Sequence, residues 1–94
     1  FGDRRGEGSD LIGLGLVYTN LLGDGRRAIY YLEQALTIVR QLEDRRGEGE
    51  ALGNLGIAYA NLGDARRAIG YYEQALLIGN RSGLVLNRVN HRCW

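Results

Sequence analysis

Ninety-four residues, 45% of them hydrophobic, suffice for a single small repeat domain spanning 1–94, one that buries only about 60 to 65% of its unfolded surface. The 12 basic residues, all Arg, are offset by 11 acidic ones for a net charge of +1, which excludes the one-signed stripe that nucleic-acid binding needs. One Cys cannot staple a domain, and no run approaches the roughly 18 apolar residues of a membrane span, so a soluble, cytoplasmic protein without membrane contact is expected.

The chain opens on Phe1-Gly2 with no charged-then-apolar leader, and reads as a piece of a longer array. Asp3-Arg4-Arg5-Gly6-Glu7-Gly8 leads into the stripe Leu11, Leu14, Tyr18, Leu21, whose 3, 4 and 3 spacing predicts one face of a helix over 4–22. Gly23 suits the left-handed residue that closes a helix. Asp24 is placed to cap a second helix over 25–43, with the stripe Ala28, Ile29, Leu32, Ala35, Leu36, Val39. So short a connection forces the two helices side by side and antiparallel.

The pattern then repeats. Asp44-Arg45-Arg46-Gly47-Glu48-Gly49 follows its first copy by 41 residues, and Gly63-Asp64-x-Arg66-Arg67-Ala68-Ile69 follows Gly23-Asp24-x-Arg26-Arg27-Ala28-Ile29 by 40. The stripes Leu52, Leu55, Tyr59, Leu62 and Ala68, Ile69, Tyr72, Ala75, Leu76 predict helices over 45–62 and 65–79. The one-residue difference lies in Leu21-Leu22 against Leu62 alone, and lengthening of the first inter-helix turn is expected from it. Nowhere do apolar residues alternate with period two over a strand's length, so the fold class is all-α. Self-similarity at this period marks a stacked array whose units cannot bury their apolar faces alone. The units are 3–43 and 44–79, and 80–94 is either a degenerate capping helix, with Val85, Val89 and Cys93 at 4-residue spacing, or an irregular tail.

Gly15 and Gly56 lie inside helices, at a cost of about 1 kcal/mol each relative to Ala, so close approach of a neighbouring helix is expected there. Gly56→Leu is expected to overpack that contact. Tyr30, Tyr31, Tyr71 and Tyr72 fit inter-helix core better than an aromatic recognition strip. Arg26-Arg27 and Arg66-Arg67 oppose the helix dipole in first turns, and are expected to be solvated or paired with the capping acids.

Catalysis needs a positioned base, nucleophile or metal. His91-x-Cys93 offers two ligands where a structural zinc takes four, Glu48 and Glu50 diverge on their helix, and Gly13-x-Gly15 lacks the strand that a phosphate loop follows. No enzyme, metal or cofactor is therefore expected.

Leu52-x2-Leu55-Gly56-x2-Tyr59 followed by Ala68-x3-Tyr72-x2-Ala75 resembles the tetratricopeptide repeat, as does Leu11-x2-Leu14-Gly15-x2-Tyr18 followed by Ala28-x3-Leu32-x2-Ala35. The period of 40 to 41, against about 34 in the common form, is similar to a long-helix subclass, and the closing Pro is absent. The resemblance implies antiparallel hairpins stacked as a right-handed α-solenoid fragment, a scaffold that binds a protein or peptide in a concave groove lined by the first helix of each unit. Carried onto this chain, the groove residues are Ser9, Leu16, Thr19 and Asn20 from the first unit and Glu50, Asn54, Ile57 and Asn61 from the second, with Ile12, Gly13, Gly53 and Ala60 at the remaining positions. Asn54 is the foremost of these, because its amide can donate to and accept from a peptide backbone. Asn20 and Asn61 equally fit a local role tying down helix ends beside Gly23 and Gly63. Two other functions stay open: a homo-oligomer that self-assembles by end stacking or hairpin exchange, and a regulatory segment of a larger bacterial signalling protein.

Overall fold

A computed structural model describes residues 4–81. It comprises α1 (Arg4–Leu16) extended by a π-helical turn (Val17–Leu21), then α2 (Gly25–Gln41), α3 (Arg45–Asn61) and α4 (Ala65–Arg81). These match the expected spans closely, with α4 running two residues past its expected end; the expected capping segment otherwise lies outside the described residues.

The helix starts are set by aspartates. Asp24, Asp44 and Asp64 each accept a backbone hydrogen bond three residues on, from Arg27 N at 3.2 Å, Gly47 N at 3.1 Å and Arg67 N at 3.1 Å. Each satisfies an N–H that has no partner within its helix. Gly23 and Gly63 close the hairpin turns at φ 64° and 84°. At the turn between the units, however, Glu43 takes the left-handed conformation at φ 55°.

The extra residue of the first unit does not lengthen its turn. It is absorbed inside the helix, where Leu22 N donates to Val17 O, five residues back, at 3.2 Å. Both turns then close alike: Asp24 N donates to Tyr18 O at 2.7 Å across six residues, Asp64 N to Tyr59 O at 2.9 Å across five. From there the copies are in register again. Tyr18 stacks on Tyr31 with ring centroids 5.5 Å apart, and Tyr59 on Tyr71 at 5.3 Å. Arg27 and Arg67 lie over the rings of Tyr18 and Tyr59 at 5.9 and 5.7 Å while pairing with Asp24 and Asp64 at 3.5 and 3.6 Å. That double contact offsets the unfavourable dipole at a first turn.

The hairpins share one core. Ile12 of α1, Leu32, Leu36 and Val39 of α2, Leu52 and Leu55 of α3 and Ile78 of α4 belong to a single buried cluster. Each such side chain contributes roughly 1.5 to 3 kcal/mol on burial, so neither hairpin keeps its stability without the other. Of the tyrosines, Tyr31 and Tyr71 are half-buried in this packing, whereas Tyr30 and Tyr72 are exposed.

Candidate functional site

Two layers result from the stacking. The backbones of α1 and α3 approach within 8 Å between Cα atoms, whereas among the described residues those of α2 and α4 do not. Among the described residues long side chains bridge the outer pair, Tyr71 Oη donating to Glu33 Oε2 at 3.2 Å and Arg40 Nη2 to Gln74 Oε1 at 3.5 Å. A stack drawn tighter along one layer curves toward it, so α1 and α3 form the inner layer.

Between α1 and α3 lies a shallow hollow of about 290 Å³, lined by Arg5, Ser9, Ile12, Asp44, Arg46 and Glu50 among others. Arg5 crosses it, its Nη1 3.4 Å from Asp44 Oδ2, the free oxygen of the carboxylate that caps α3. The hollow thus holds both signs of charge. Sequence reading did not single out Arg5, Asp44 or Arg46 for this place. Their signal was the Asp-Arg-Arg run present in both copies, which puts one unit's arginines beside the next unit's cap.

The expected groove residues are distributed as follows. Ser9 and Glu50 both line this hollow, and both are exposed. Leu16, Asn20, Ile57 and Asn61 are exposed further along the same helices, and Asn54 is half-buried. Ile12 is part of the core. Thr19 is a correction. It lies in the π turn, where it is buried and its hydroxyl donates to Gly15 O at 2.8 Å, away from the exposed surface of the groove. Its counterpart Ala60 remains exposed.

The amides of Asn20, Asn54 and Asn61 make no hydrogen bond among the described residues. The helix ends beside Gly23 and Gly63 are closed by backbone bonds alone, so Asn20 and Asn61 do not tie them down. Three amides, with donors and acceptors both open, therefore stand on one layer.

Among the described residues no group of three His, Cys, Asp or Glu is placed to hold a metal ion, and no helix is long and apolar enough to cross a membrane. His91 and Cys93 lie outside the described residues.

Antiparallel helix pairs that recur along the chain and share a core define a helical-hairpin repeat protein. The family model of the tetratricopeptide repeat matches residues 9–78, and the chain belongs to that family. Comparison with curated proteins and with solved structures finds no match. Tetratricopeptide repeats typically mediate protein-protein interaction and are in general non-catalytic scaffolds.

Proposed function

We propose that this chain is an interaction module whose inner layer, α1 and α3, holds an extended peptide or a partner helix. Its units are 3–43 and 44–79, and it acts without catalysis, cofactor, nucleic acid or membrane. The observation that carries the reading is the set of unpaired amides of Asn20, Asn54 and Asn61 on that layer. An amide left open on a curved surface gains most from a ligand that brings alternating N–H and C=O groups, as a peptide backbone does. Arg5, Arg46, Asp44 and Glu50 then favour a segment carrying both charges over a uniformly acidic or basic one. A cytoplasmic place within a larger regulatory protein agrees with this reading.

Selection of displayed random peptides against the chain tests it. The selected sequences should lose roughly tenfold or more in affinity for Asn54→Ala, the cost of about 1.4 kcal/mol that an unmade hydrogen bond carries. Peptides whose binding ignores Asn54 and Asn61 but is abolished by Tyr30→Ala on α2 would place the site on the other layer and overturn the reading.

A second reading, a homo-oligomer, is favoured by one specific observation. Ile69, Tyr72, Leu76 and Leu77 of α4 are all exposed, at the spacing of one side of a helix, and a contiguous exposed apolar patch marks an interaction surface.

A further inference from the structure

The surfaces that meet where α2 packs on α3 recur, through the repeat, on α4 and on α1. Inside the molecule, α2 seats α3: Gly25 lies so close that an added Cβ would stand 3.0 Å from Ala58 O and from Leu62 Cγ, and Val39 packs against Gly47. In that seam Leu36 is 6% exposed on the α2 side, and Leu55 and Ala58 are 0% exposed on the α3 side. The repeat places counterparts of these surfaces on α4 and on α1, where they are exposed among the described residues. On α4, Leu76 is the counterpart of Leu36 and is 55% exposed, with Ile69 also at 55%. On α1 and its π turn, Leu14 and Val17 are the counterparts of Leu55 and Ala58, and each is 41% exposed. Leu21, the counterpart of Leu62, is exposed as well.

We propose that this chain stacks head to tail, the α4 face of one copy seating the α1 face of the next in the geometry by which α2 seats α3. The proposal rests on the self-association reading and gives it a direction. The occupant is a second copy because α1 opens with the same run as α3, Arg4-Arg5-Gly6-Glu7-Gly8 against Arg45-Arg46-Gly47-Glu48-Gly49, and so brings to α4 the shape and small residues that α3 brings to α2. Gly6 stands in the place of Gly47, the point of closest approach, and Gly79 in the place of Val39 facing it, which leaves more room there. Such a contact joins two different patches and leaves one of each free on every dimer. Growth therefore does not stop at two copies, and the average mass rises steadily with concentration.

Sedimentation equilibrium of the chain and two double variants tests this. A head variant, Leu14→Glu with Leu21→Glu, and a tail variant, Ile69→Glu with Leu76→Glu, change only exposed positions, and circular dichroism checks that both remain helical. Should either lose helicity, Leu21→Ser and Leu76→Ser replace them. Each variant alone is expected to be a monomer at concentrations where the unmodified chain associates. Mixed in equal amounts, they form a heterodimer and nothing larger, since the head variant keeps its tail and the tail variant its head. A head variant that associates by itself shows a tail-to-tail contact, and either variant associating alone through exchanged hairpins, or a mixture that remains monomeric, likewise overturns the head-to-tail geometry. An unmodified chain that is monomeric from micromolar to millimolar concentration overturns the self-association reading with it.

Discussion

Leu32 leaves no room beside Gly15. A Cβ built there lies 2.5 Å from Leu32 Cγ, and Leu32 is fully buried, so it has nowhere to move. Gly56 is the matching position and meets the Tyr72 ring at 2.7 Å, but Tyr72 is exposed on its far side and can swing outward. The two helical glycines therefore differ in what they tolerate. Gly15→Ala is expected to destabilise by roughly 1 to 3 kcal/mol through overpacking, more than the helix propensity it gains. Gly56→Ala, in which the propensity gain of about 1 kcal/mol meets a yielding ring, is expected to lie near neutral, with Gly56→Leu still destabilising. Urea denaturation of the three variants checks the order; equal costs for the two alanine variants would remove this account. Glu43 is the opposite case, a side chain where glycine fits better. At φ 55° it occupies the conformation that Gly23 and Gly63 fill at the other turns, and its side chain is exposed. Relief of left-handed strain, partly offset by greater freedom of the unfolded chain, gives Glu43→Gly an expected stabilisation of about 0.5 to 1 kcal/mol, read from the denaturation midpoint.

At the scale of elements, the boundaries inside each hairpin were legible because both are written in local chemistry, a left-handed closing glycine followed by an aspartate cap, whereas the turn between the units has the cap Asp44 but Glu43 in the glycine's place. The π turn was not. A one-residue insertion beside Leu21-Leu22 has the same sequence signature whether the turn or the helix absorbs it, and only packing decides, here by keeping Tyr18 on Tyr31 and Arg27 on Tyr18. The same insertion removes Thr19 from the surface, which no periodicity anchored on the regular helix anticipates. Likewise, the resemblance to the tetratricopeptide repeat put Asn54 among the groove positions, but the open state of its amide is a tertiary fact. Deleting Leu21 restores the spacing of the second unit, Tyr-x2-Leu-Gly-Asp. The deletion is expected to turn the π turn into regular α-helix, bring position 19 to the surface as at Ala60, and leave the melting temperature unchanged or higher. A large loss of stability would show that the wide turn is itself required by the packing.

At the scale of the molecule, the two units are joined on the outer layer by one polar contact that also touches the aromatic stack. Tyr71 of α4 lies against Tyr59 of α3, and its hydroxyl donates to Glu33 of α2. Burial first, and the negative charge of Glu33 next, push its pKa up to about 12. An unfolded tyrosine releases its proton near pH 10, whereas the folded Tyr71 holds it until about 12. Between these values the unfolded chain binds fewer protons, so rising pH favours it. The stability linked to Tyr71 is thus complete below about pH 10 and is lost as pH climbs through about 12. Every one of the 12 basic residues is Arg, which keeps its charge throughout this window, and no Lys titrates to obscure it. Urea midpoints followed from pH 9 to 12 are expected to fall, and to fall less steeply in Tyr71→Phe, which keeps the ring stack but has no proton to lose. Superimposable curves for the two proteins would mean that the Glu33 contact does not persist in solution and that the apolar seam of α2 and α3 and the arginine contacts of Arg5 and Arg40 hold the units together without it.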